Sequence, residues 1–208
     1  MGAARTIGRH GGRLRGVAAL AAAAALVLAG CASDPLAEQY REGSGKGYIA
    51  GDGSWTEIPV SDRGEAIEFD GVDQNGDDVS SDDYLGEVLV VNFWYAACAP
   101  CRAEAPDLVD LSAQYDGAGA SFLGVNVRDQ ADTAISFDET FGIEYPSIID
   151  TNDGAVKLAF SGSVPPNAVP TTIVLDAEGR IAARIVGQLR DPSILDTLIR
   201  DTIAESGE

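Results

Sequence analysis

The chain has 208 residues and a formal net charge of −19. It is long enough for one folded domain with extensions, and too acidic to suit nucleic acid or a polybasic grip on anionic lipid. The only histidine, His10, lies near the start, so the remainder has no residue for Ser-His or Cys-His catalysis or for histidine metal ligation.

Arg5, Arg9, Arg13 and Arg15 form a basic head, and no charge occurs from Gly16 to Gly30. That uncharged core falls short of the roughly 20 residues that span a bilayer and fits an export signal. It ends in Leu28-Ala29-Gly30-Cys31, which resembles the lipobox of bacterial lipoproteins. The resemblance implies cleavage before Cys31, lipidation of Cys31, and a protein anchored by lipid on the extracytoplasmic side of the cell membrane. The alternative is an ordinary signal with a chance cysteine. Loss of residues 1–30 takes the formal charge from −19 to −23, which reads as a solvated face holding the domain off the membrane. With Cys31 carrying lipid, Cys98 and Cys101 are the only pair left for redox chemistry.

Residues 32–64 are rich in Gly, Ser and acids, as in Gly43-Ser44-Gly45-Lys46-Gly47. They read as a flexible tether with a root-mean-square reach of roughly 30 Å, with room for a short ordered stretch at Trp55 to Val60. The expected organisation is a signal over 1–30, an acylated tether over 31–64 and one folded domain over 65–208.

Ala66 to Phe69 reads as a strand, and Asn75-Gly76 signals a hairpin turn that returns through Val79. Val88 to Trp94 is apolar and rich in β-branched residues, the pattern of a buried strand. Arg102 to Tyr115 places Ala105, Leu108, Leu111 and Tyr115 at helical spacing. A second buried strand is expected at Ser121 to Asn126, a helix at Thr133 to Phe141, an extended segment at Tyr145 to Asp150, and a small helix at Gly154 to Phe160. Thr171 to Asp176 and Ile181 to Val186 form a hairpin. A last helix begins at Asp191-Pro192-Ser193, with aspartate as cap and proline in the first turn. This order predicts an α/β domain: a central mixed sheet with helices on both faces and an added N-terminal hairpin.

Between the buried strand and the first long helix stands Cys98-Ala99-Pro100-Cys101. Two cysteines at that spacing on a strand-to-helix junction form the layout of a dithiol–disulfide exchange site. Helix-start amides and the helix dipole stabilise a thiolate on the first cysteine, and the second lies about one turn on, within reach of it.

Trp94-x-x-x-Cys98-x-Pro100-Cys101, Pro106 inside the following helix and Val169-Pro170-Thr171 before a late strand resemble the thioredoxin superfamily. The hairpin, Asn92-Phe93-Trp94, Cys-x-Pro-Cys-Arg-x-Glu104-x-Pro106 and the lipobox are similar to the TlpA/ResA branch of exported, membrane-tethered thiol–disulfide proteins, including those of cytochrome c maturation. The resemblance implies a thioredoxin-like fold over about Glu65 to Glu205. In it, Cys98 is the exposed attacking thiolate and Cys101 the shielded resolving cysteine of a redox-active disulfide. Pro100 stiffens the intervening dipeptide, and Pro170 is a cis-proline facing the disulfide; the alternative for Val-Pro-Thr is a strand-start proline. Trp94, Ala99, Pro100 and Val169 would meet the substrate. Glu104 would lie beneath the site and tune the thiols, taking over proton handling where thioredoxin has an aspartate and this chain has Asn92; the alternative is a solvent-facing helix glutamate. Pro106 would kink the helix. One departure is Ala97, where most relatives carry a tryptophan before the first cysteine.

The implied function is reduction of disulfides in exported proteins such as apocytochrome c, with no cofactor and no metal, by an enzyme recharged through a membrane thiol-electron donor of the CcdA type. The alternative direction is an oxidant that installs disulfides; the same residues serve both. A two-thiolate metal carrier is disfavoured because the wider cysteine spacing and the histidine of such carriers are missing. The redox reading expects two sulfurs within bonding distance, one reachable from solvent and the other behind it, and it fails if they stand far apart or if both are buried away from any surface.

Overall fold

A computed structural model describes residues 54–162 and 168–205. The expected signal, Cys31 and the tether up to residue 53 lie outside the described residues. Among the described residues no helix is long and apolar enough to cross a membrane.

The strands are β1 (Ser54–Glu57), β2 (Asp70–Val72), β3 (Asp78–Ser80), β4 (Val88–Trp94), β5 (Ala120–Asn126), β6 (Ser147–Ile149), β7 (Thr171–Leu175) and β8 (Ile181–Val186). The α-helices are α1 (Ala99–Tyr115), α2 (Ala131–Phe141), α3 (Ala155–Ala159) and α4 (Pro192–Glu205). Six strands make one sheet in the order β1-β8-β7-β4-β5-β6, while β2 and β3 pair with each other. β4 lies parallel to β5 and antiparallel to β7, so the sheet is mixed.

Strand β4 is buried along its whole length and is built from residues that favour pleated, packed surfaces. Its alternation sends Leu89, Val91 and Phe93 into one core with Leu123, Val125, Phe160 and Ile173. Val88 and Val90 enter the opposite core with Leu108 and Leu111 of α1 and Leu198 and Ile199 of α4. Each such buried side chain contributes about 1.5–3 kcal/mol, and together they hold the end of β4 and the start of α1 in a fixed relation.

The folded part reaches further back than Glu65. β1 pairs antiparallel with β8, from Ser54 opposite Val186 to Glu57 opposite Ala183. Trp55 packs against the core on the α1 side. Arg63, nearly buried, bonds Asp176 at 3.0 Å and Glu205 at 2.6 Å. A short apolar signal amid Gly, Ser and acids was enough for an edge strand because β8 supplied the partner.

The added hairpin forms, but its first strand is Asp70–Val72 and not Ala66–Phe69. Asp73 sets this register: its Oδ1 accepts from the N–H groups of Asn75 (2.8 Å) and Asp77 (2.9 Å). Its carbonyl accepts from Gly76 (3.2 Å), which takes a φ of 91° that favours glycine. Helix α1 begins at Ala99, three residues before the expected start, with Cys98 as its cap, and it runs through Pro106 to Tyr115. α4 begins as expected: Asp191 Oδ1 accepts from Ser193 N–H at 3.0 Å.

Candidate active site

Cys98 and Cys101 are joined by a disulfide at the junction of β4 and α1, with 5.3 Å between their Cα atoms. The Cys101 N–H points at Cys98 Sγ at 3.2 Å. In the reduced state this helix-start amide stabilises charge on Cys98. The segment leading to it is tied down from the loop after β5: Ala96 N–H donates to Asp129 Oδ2 at 2.6 Å, and Arg128 lies 4.2 Å from the centroid of the Tyr95 ring. Val169-Pro170 is a cis peptide, as the resemblance implied, and the Pro170 carbonyl accepts from Gly187 N–H at 2.9 Å.

Two expected placements are corrected. Cys98 is only 2% exposed and Cys101 3%, so in the disulfide form neither sulfur stands out in solvent. The cover is local: Cys98 and Cys101 sit in an apolar cluster with Trp94, Ala105 and Phe137 against which Tyr95, Ala96 and Val169 pack. The neighbours Ala97 and Ala99 are exposed, and Pro100 and Val169 are half-buried, so the disulfide lies directly under the surface. Trp94, expected to meet substrate, is 3% exposed. Its even position on β4 turns the indole inward, where its ring lies 4.3 Å from that of Phe137 and its Nε1 donates to Ser147 Oγ at 3.3 Å.

Glu104 is 1% exposed, which removes the solvent-facing alternative. It stands one turn after Cys101 on α1. Asn92 Nδ2 donates to its Oε1 at 3.0 Å and Leu189 N–H to its Oε2 at 2.8 Å. The same Asn92 amide donates to Thr172 Oγ1 at 3.0 Å. The Glu104 carboxyl is pushed up to about 7, because desolvation by burial, with a smaller push from Asp107, outweighs the opposing hydrogen bonds from Leu189 N–H and Asn92. The group is thus poised to change charge near neutral pH beneath the dithiol. Asn92 and Cys101 line one cavity with Tyr145, whose phenol is also pushed up by burial and by the Asp138 and Glu104 charges.

The Asp129 tie, the Thr172 contact and the Leu189 amide were not anticipated from sequence. Each joins the site from a separate strand end or loop, and no local motif marks them. Among the described residues no cluster of His, Cys, Asp and Glu suited to a metal ion occurs. The Cys98–Cys101 disulfide and the buried Glu104 carboxyl make the arrangement a sulfur-based exchange site with a titratable group beside it.

Comparison with known proteins agrees with this chemistry. The AhpC/TSA family model matches residues 63–184. The thiol-disulfide oxidoreductase ResA of Bacillus subtilis is 27% identical over 137 residues, 66% of this chain and 74% of that protein. The thiol:disulfide interchange protein HelX of Rhodobacter capsulatus is 36% identical over 120 residues, 56% of this chain and 64% of that one. A secreted thiol-disulfide isomerase from Corynebacterium glutamicum superposes with a TM-score of 0.66 at 31% identity, covering 76% of this chain and 97% of that one. The expected α/β thioredoxin-like architecture is therefore present, and the chain belongs to the AhpC/TSA family, as a thiol–disulfide oxidoreductase of the ResA and HelX type with Cys98–Cys101 as its redox disulfide.

Proposed function

We propose that the protein acts in the reducing direction on disulfides of exported proteins, with oxidised apocytochrome c as its substrate in cytochrome c maturation. On this reading Cys31 carries the lipid that holds it at the extracytoplasmic face, and a membrane thiol-electron donor of the CcdA type recharges it. The observation that carries the direction is the buried Glu104 carboxyl below the pair. Its negative charge opposes thiolate formation nearby, which disfavours the dithiol form and makes the pair a better electron donor.

The Cys98 thiolate attacks one sulfur of the target disulfide; that S–S bond breaks and one target sulfur leaves as thiolate. Cys101 then gives up its proton and attacks Cys98 Sγ in the mixed disulfide. The second target sulfur leaves, two electrons have passed to the target, and Cys98–Cys101 returns to the disulfide. Val169 packs against the apolar cluster that holds the pair; on this reading an extended target segment lies along Val169 and Pro170 and meets Ala99 and Pro100.

Mixing the reduced protein with an oxidised Cys-x-x-Cys-His peptide is expected to give net peptide reduction. Net oxidation of the reduced peptide by the disulfide form would assign the opposite direction, that of an oxidant.

A further inference from the structure

Another buried carboxyl lies apart from Glu104. Asp138, on α2, is 8% exposed; its Oδ2 accepts from Gln74 Nε2 at 3.1 Å, and its Oδ1 has no hydrogen-bond partner. Burial outweighs the opposing Gln74 hydrogen bond and leaves this carboxyl pushed up to about 7. Gln74 belongs to the turn of the β2–β3 hairpin. Its Oε1 accepts from Ser147 N–H at 2.7 Å, and its own N–H donates to the Ser147 carbonyl at 3.0 Å. One glutamine thereby fastens the edge strand β6 to α2.

Ser147 Oγ is the acceptor for the Trp94 indole. Gly124 leaves room for that bond: a Cβ there would overlap Ser147 Oγ and stand 2.8 Å from Trp94 Nε1. Trp94 also packs on Phe137, the residue before Asp138. With Asn92, Cys101 and Tyr145 it lines a cavity of about 10 Å³, no more than about one water molecule needs.

We propose that Gln74 is a positioning residue for the dithiol: by clamping Ser147 to Asp138 it holds the Trp94 indole as the wall facing Cys101. A small swing of the indole enlarges the cavity and admits water beside Cys101 Sγ. A thiol or thiolate there gains solvation that the closed wall denies it. The dithiol form is then stabilised against the disulfide, and the pair becomes more oxidising. The hairpin thus sets the redox poise of a sulfur it does not touch.

The test is the equilibrium of Cys98–Cys101 with glutathione in the purified full chain. Gln74→Leu and Ser147→Ala are each expected to shift it about tenfold toward the dithiol, about 30 mV. Ser80→Ala, which weakens a cap in the same hairpin, leaves it in place. The exchange of Gln74→Glu together with Asp138→Asn keeps an acceptor for Ser147 and reverses the donor–acceptor pair, and it returns the equilibrium toward the parent value. Should Gln74→Leu fail to fold, Ser147→Ala, which removes one hydroxyl, decides. An unchanged equilibrium in Ser147→Ala, with only thermal stability lowered, would make the clamp structural and overturn the proposal.

Discussion

Replacing Cys98 by serine is expected to lower disulfide-exchange turnover on the order of 10³-fold or more, because a neutral hydroxyl replaces a thiolate as nucleophile. Replacing Cys101 by serine leaves attack intact and removes the resolving sulfur, so mixed disulfides with target proteins accumulate on Cys98. The two variants differ in what they trap, and non-reducing electrophoresis with mass mapping of the bonded cysteine reads the difference. Full turnover in Cys98→Ser, or mixed disulfides mapped to the other sulfur, would reverse the assignment of nucleophile. The burial of Cys98 gives this test added weight. Within the disulfide it is 2% exposed, and attack on a target requires an approach to it past the exposed Ala97 and Ala99. The absence of an aromatic at Ala97 leaves that approach lined by two methyl groups.

Glu104→Gln is the second large effect. In the native protein the carboxyl, pushed up to about 7, changes charge in the same range in which the thiols begin to ionise, so the pH profile of Cys98 alkylation carries two inflections. The amide carries no charge, and the profile is expected to collapse to one inflection. A stability effect accompanies it. The folded-state pKa lies above the ordinary value of 4.5, so the favourable contribution is complete below about pH 4.5 and is lost as pH rises through about 7. The native protein is therefore expected to lose on the order of 2–3 kcal/mol between pH 5 and pH 8 through this group, a loss that Glu104→Gln removes. Denaturant unfolding at the two pH values measures it. An alkylation profile unchanged by the substitution would remove Glu104 from the chemistry.

What the sequence disclosed was local. The strand β4, the helix behind it, the β7–β8 hairpin and the cysteine pair each carry their signal within one short, continuous stretch of chain, as hydrophobic period, turn residues or spacing. β1 overlaps the short ordered stretch allowed for at Trp55 to Val60, but that it joins the main sheet was hidden because its partner β8 lies far along the chain, and four residues amid glycine and acid give little period to read. The hairpin register followed the Asp73 carboxylate and not the apolar residues Ile67 and Phe69. Which face of β4 held Trp94 followed from alternation, but that its indole would be covered required the arrival of α2. The burial of Cys98 was equally illegible, since a motif fixes spacing and not cover. Gln74 and Ser147 stand 73 positions apart and meet only through the register of β6 and the hairpin.

The midpoint potential of Cys98–Cys101, titrated against glutathione and read by thiol alkylation, tests the central claim most directly. A single two-electron transition near or below the roughly −270 mV of thioredoxin is the predicted result. A value near the roughly −120 mV of the strongly oxidising members of the superfamily would contradict the reducing role assigned to the pair.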